Sequence, residues 1–143
     1  MSSSGPDDGS PAARADVELR VPADSAYLSV LRTTAAGLAA RLDFTLDDIE
    51  DLRMAVGEAS ALVFPEADPG SDANCEFFMR PGELTVAVGV SAARPTVLDQ
   101  DSFAWQVLTT LATRASASTS DGRLTISVSM QSTFQDPVSD MTG

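Results

Sequence analysis

The feature that most limits this chain is a switch of hydrophobic period, from two residues to about 3.6 and back. Val17, Leu19 and Val21 alternate with Glu18 and Arg20, which predicts a half-buried strand ended by Pro22. Asp24 or Ser25 then caps a helix in which Tyr27, Val30, Leu31, Thr34, Leu38 and Leu42 recur at helical spacing. Thr45 followed by Asp47 and Asp48 opens a second helix, since acidic groups suit the positive end of a helix dipole. Its inner stripe reads Ile49, Leu52, Val56, Ala59, Ser60 and Val63, and Pro65, Pro69 and Gly70 end it. Residues 73–80 and 84–90 read as two strands joined at Pro81-Gly82, a hairpin signal. After a loop over 91–100, Asp101 or Ser102 caps a third helix with Trp105, Leu108, Leu111, Ala112 and Ala115 inside. Residues 116–120 suit a short edge strand. Asp121-Gly122 then turns the chain into a last strand, where Leu124, Ile126, Val128 and Met130 alternate with polar residues.

The resulting order is β-α-α-β-β-α-(β)-β. All of these stripes are buried together only if the helices cover one face of one sheet. The expected fold class is therefore α+β, a two-layer α/β sandwich with a mixed, mostly antiparallel sheet. Residues 1–14, rich in Ser, Gly, Pro and Asp, are expected as a disordered leader, 15–131 as the domain, and 132–143 as a flexible tail.

Composition narrows the chemistry. The chain has 143 residues and one cysteine, Cys75, with no histidine. An internal disulfide, a His/Cys metal site and every His-based catalytic arrangement are excluded. Cys75 reads as a small buried strand residue. No apolar run reaches the roughly 18 residues needed to span a bilayer, and no signal peptide is expected, so the protein is read as cytoplasmic with no membrane partner. The net charge of −12 sets 21 acidic residues against nine basic ones, all arginine. Such a chain repels phosphate backbones, which argues against direct nucleic-acid binding. The charge either favours a basic protein partner or only keeps a small domain soluble.

The order of elements, together with the stretch Asp51-Leu-Arg-Met-Ala-Val-Gly-Glu58-Ala-Ser and the segment from Arg32 through Leu42-Asp-Phe-Thr45, resembles the anti-sigma factor serine kinases. These belong to the histidine-kinase-like ATPase superfamily with the Bergerat fold, and the resemblance runs from Asp16 to Met130. In that family the second helix carries a glutamate acting as base or water-orienting group, with an Mg²⁺-ligating asparagine one helical turn on. Glu58 matches the first position and Leu62 stands at the second, where it offers no oxygen to a hard cation. The family's adenine-binding aspartate falls at Val90, followed by Ser91-Ala-Ala-Arg94 in place of glycines. The phosphate-cradling loop falls at Ser102-Phe-Ala-Trp105, where Phe103 would intrude on close backbone approach.

The resemblance thus implies an anti-sigma factor that sequesters a sigma factor and is released by an anti-anti-sigma (STAS-type) antagonist. No bound cofactor is expected. The alternative is an active ATP- and Mg-dependent serine-protein kinase that phosphorylates its antagonist. Glu58 is then either a vestige of the catalytic carboxylate or a solvated helix glutamate. Arg32 matches a family arginine that holds the sigma factor, or is an exposed arginine pairing with nearby acids. Trp105 reads as core. Phe103 reads as core, pocket filler or partner contact, and with Leu62 and Val90 it would line a vacated pocket open to another ligand. A homodimer through the first strand and helix region is also implied.

Overall fold

A computed structural model describes residues 14–96 and 98–133. The expected leader up to residue 13 and the expected tail from residue 134 lie outside them. The elements are β1 (Val17–Pro22), α1 (Leu28–Arg41), α2 (Leu46–Val63), β2 (Asp72–Arg80), β3 (Glu83–Ser91), α3 (Phe103–Leu111), β4 (Arg114–Ser120) and β5 (Arg123–Gln131). The strands form one sheet in the order β1-β2-β3-β5-β4, with every neighbouring pair antiparallel. This is the two-layer, Bergerat-type α+β sandwich, its sheet antiparallel throughout.

Alternation makes the two faces unlike. Rows such as Leu19, Cys75, Val88, Ile126 and Ala117 run across all five strands on the helix side. The opposite face carries Glu18, Asn74, Glu76, Thr125 and Ser127 over a floor of Ala87 and Gly89. α2 lies over β3 and β5, flanked by α1 on one side and α3 on the other. Phe77, Leu31, Leu52, Leu84, Leu108 and Ile126 are fully buried between the layers. Each contributes about 1.5–3 kcal/mol by leaving water.

Turn chemistry fixes the hairpins. Gly82, at φ 73°, supplies the left-handed residue of the β2–β3 turn, with Arg80 opposite Glu83. Asp121 (φ 53°) and Gly122 (φ 75°) form the two-residue β4–β5 turn, whose paired positive φ values match the twist of the flanking strands.

The first helix differs from its expected pattern. Asp24 caps a separate 3₁₀ turn, Ser25–Tyr27, through a hydrogen bond from the Ala26 N–H to its Oδ1 (2.8 Å), and this turn shifts the phase of α1 behind it. Tyr27 and Val30, expected inside, are 39% and 40% exposed. Leu31 is buried as expected, and Ala35 and Ala39 are buried beside it, with Leu38 and Leu42 partly so. Pattern reading favours large apolar residues, whereas close packing against α2 favours alanine. α1 closes with Asp43 left-handed at φ 61°, while the N–H groups of Asp43 and Phe44 donate back to the carbonyls of Ala40 and Ala39. Phe44 turns into the core behind this cap.

The stripe on α2 is as expected, with Leu52, Val56, Ala59, Ser60 and Val63 buried and Ile49 partly so. At the third helix the cap is Ser102, whose Oγ accepts from the Trp105 N–H. Ala115, expected on that helix, lies in β4.

Ser132 and Thr133, expected to begin a loose tail, are fastened. The Ser132 N–H donates to the Gly82 carbonyl (2.8 Å). Thr133 donates through both its N–H and its hydroxyl to Asp48 Oδ2, each at 2.8 Å. Asp48 also completes a capping box with Thr45. Its burial opposes ionisation, but the hydrogen bonds from Thr133 and Thr45 outweigh this and hold the carboxyl below its ordinary 3.8.

Cys75 is 1% exposed in the middle of the sheet, and burial pushes its thiol up to about 12. Thiolate is the reactive form, so native protein at pH 8 should resist iodoacetamide and become labelled only on unfolding, as read by intact mass. Rapid labelling of the folded chain would contradict this burial.

Candidate functional site

The capping box at Thr45 sets the start of α2 and so the phase of every residue along it. Glu58 and Leu62 lie four residues apart on that helix, and residues at this spacing share a helix face. Both are half-buried. Glu58 makes no ion pair or hydrogen bond with another described residue. Val90, at the end of β3, points into the helix-facing core and is completely buried. Phe103 does the opposite. At 83% exposure it stands in solvent on the first residue of α3, so it is neither core nor pocket filler. Trp105 is buried as expected. The structure therefore keeps Glu58 and Leu62 together, places Val90 in the packed interior, and sends Phe103 outward.

The segment after β3 is stitched down by two acids that pattern reading did not single out. Asp68 Oδ1 accepts from the Ala93 N–H (3.0 Å), and the Asp68 N–H donates to the Ser91 carbonyl (2.8 Å). Glu66 Oε1 accepts from the Thr96 N–H at 2.7 Å. Ala92 is buried, and its N–H donates to the Gly122 carbonyl. A loop that wraps a metal-bound nucleotide needs free backbone donors; here several donors of this segment are already taken by the protein.

Arg32 lies on α1 and reaches across to α2. A Cβ on Gly57 would sit 3.0 Å from Arg32 Nη1 and 3.4 Å from its Cδ, so the bare backbone of Gly57 is what admits the arginine. Arg32 is half-buried, and its guanidinium pairs with no carboxylate among the described residues. Sequence reading singled out Arg32 but not Gly57; the signal was a glycine inside an otherwise regular helix. Other open space lies elsewhere. A trough of about 600 Å³ crosses the open face of the sheet between Glu18, Arg20, Glu76 and Arg123. A smaller cavity of about 280 Å³ sits where α1 begins and α2 ends.

Among the described residues, no helix is long and apolar enough to cross a membrane. No family model matches the chain. It is 36% identical over 85 residues to the serine-protein kinase RsbW of Bacillus velezensis, covering 59% of this chain and 48% of that one. It is 38% identical over 73 residues to RsbW of Halalkalibacterium halodurans, covering 50% and 45%. RsbW of Bacillus subtilis matches at 35% over 85 residues, covering 59% and 48%. The chain thus spans about half the length of the curated relatives it matches. Among solved structures, the RsbU and RsbW domains of Rv1364c from Mycobacterium tuberculosis superpose with a TM-score of 0.58 at 12% identity. That match covers 81% of this chain and 32% of the other. In sequence the chain is similar to serine-protein kinases named RsbW over about half of their length, and in fold it is similar to a structure that contains a domain of that name.

Proposed function

We propose that this chain is an anti-sigma factor that acts in the cytoplasm by holding a sigma factor, is released by an anti-anti-sigma antagonist, and binds no ATP. The observation that carries the reading is the pairing of Glu58 with Leu62 on one face of α2. A magnesium-bound triphosphate needs an oxygen at the second position, and leucine has none. Val90 supports the same reading. A buried valine cannot accept a hydrogen bond from adenine, and the space around it is already packed. The residues present do not fit Mg-ATP, so no phosphoryl transfer is assigned to them. What is left for the domain is surface recognition. Arg32 supplies a cation that pairs with no carboxylate among the described residues, with exposed Val30 on the same helix and exposed Tyr27 in the turn before it. The acidic whole favours approach to a basic protein. β1, as an edge strand, leaves its outer side open for a second copy, consistent with pairing through the first strand and helix region.

Thermal melts with and without Mg-ATP test the reading. A ligand held by the native state at one hundred times its Kd raises stability by about 2.7 kcal/mol, so a binder would show a clear rise in midpoint. The expected result is an unchanged midpoint, and no transfer of labelled phosphate to a co-purified antagonist. Phosphate incorporation abolished by Glu58→Ala would establish the other reading, an active serine-protein kinase in which Glu58 is the base.

A further inference from the structure

The cavity at the start of α1 and the end of α2 carries a feature that packing does not explain. Ala23, Leu28, Ala61, Phe64 and Pro65 line its apolar wall, and two serines complete it, the exposed Ser25 and Ser60. Ser60 is completely buried, and its Oγ has no hydrogen-bond partner among the described residues. A buried hydroxyl without a partner is an unfavourable state that proteins rarely keep. No charged residue lines the space. At about 280 Å³ it falls below the roughly 300–1,000 Å³ typical of small-molecule and cofactor sites. These limits describe a receptor for one neutral, mostly apolar side chain with a polar atom at its tip to meet the Ser60 hydroxyl.

Its position says where that side chain comes from. Leu28 and Arg32 are four residues apart on α1, as are Ala61 and Gly57 on α2. The cavity and the Arg32–Gly57 contact are therefore successive steps along one seam, separated by about one helical turn, roughly 5.4 Å. One step offers a guanidinium, the next an apolar hole with a hydroxyl, neither of them paired among the described residues.

We infer that the cavity is an anchor pocket for a tyrosine of the protein partner, carried one helical turn from a carboxylate that pairs with Arg32. The phenol ring fills the apolar wall, and its hydroxyl completes the hydrogen bonding of Ser60. Tyrosine anchors of this kind concentrate binding energy in desolvated pockets. The inference rests on the reading of this chain as a sigma-factor binder and specifies the recognition surface.

The test uses ¹⁵N-labelled full-length chain titrated with p-cresol, the tyrosine side chain as a free molecule, and with toluene. p-Cresol should perturb the amides of Leu28, Ser60 and Phe64, and bind about 2- to 10-fold tighter than toluene, the worth of one hydrogen bond. Ser60→Ala should erase that preference. Ala61→Trp, made at an exposed position on the rim, should block both probes and weaken the cognate sigma factor at least tenfold. p-Cresol shifts absent from these amides, a preference surviving in Ser60→Ala, or a sigma factor bound equally well by Ala61→Trp would each overturn the pocket. A sigma factor that ignores even the wild-type chain would instead remove the proposed function, and the p-cresol titration would still decide whether the pocket exists.

Discussion

Asp48→Ala is expected to lower stability by about 2–4 kcal/mol and the melting temperature by about 10 °C. The substitution removes half of the capping box that starts α2, a loss of about 0.5–2 kcal/mol by itself. It also strands the donors of Thr45 and Thr133 that now converge on Asp48 Oδ2. Each buried donor left without a partner costs about 1–3 kcal/mol, less where water can reach it. The residue thus joins two places far apart in sequence, the start of α2 and the end of β5. Urea melts of the wild-type and variant chains measure the difference. A change below about 0.5 kcal/mol would mean that the Thr133 contact does not hold in solution.

The same group predicts a pH dependence. Asp48 has a folded-state pKa below its ordinary 3.8, so the unfolded chain binds its proton more readily. Its contribution is fully present above about pH 4 and is lost as the pH falls through the lowered folded value. Asp48→Asn keeps the shape but cannot ionise, so its acid limb should be shallower than that of the wild type. Equal slopes between pH 4 and 2 would remove Asp48 from the account of acid unfolding.

Arg32→Glu is expected to weaken sigma-factor binding by about 2–4 kcal/mol, or roughly 30- to 1,000-fold, with little change in the stability of the free chain. The guanidinium makes no ion pair with another described residue, so its reversal should be felt mainly at the interface. There a carboxylate would face a carboxylate, and like-charge juxtaposition costs several kcal/mol. Gly57 makes a useful companion. Gly57→Ala would place a Cβ 3.0 Å from Nη1 and displace the arginine without altering its charge. Calorimetric titration with the cognate sigma factor reads both variants. Wild-type affinity in Arg32→Glu would move the partner surface away from the α1–α2 seam.

Much of the architecture could be read from the chain because its signals are local. Alternation in 17–21, 84–90 and 124–130 named the strands to within about a residue, since side-chain direction in a strand depends only on parity. Thr45 with Asp48 announced the start of α2, and Pro81-Gly82 and Asp121-Gly122 announced the hairpins, through hydrogen bonds and φ values confined to a few residues. α1 was read less well. Its phase is set by a preceding 3₁₀ turn and by alanines whose burial depends on how closely α2 approaches.

The sequence by itself determined the layered fold, the caps and turns, and the residue types that Leu62 and Val90 bring to positions where the resemblance implies nucleotide contacts. Tertiary structure alone decided that β5 lies between β3 and β4, that Arg32 rests on Gly57, that Thr133 returns to Asp48, that Phe103 faces water, and that Ser60 lacks a partner among the described residues. The division has a physical origin. Dihedral preference and amphipathic period act over a few neighbouring residues. Contact between side chains tens of residues apart depends on the free energy of the assembled whole, and no short stretch of chain encodes that.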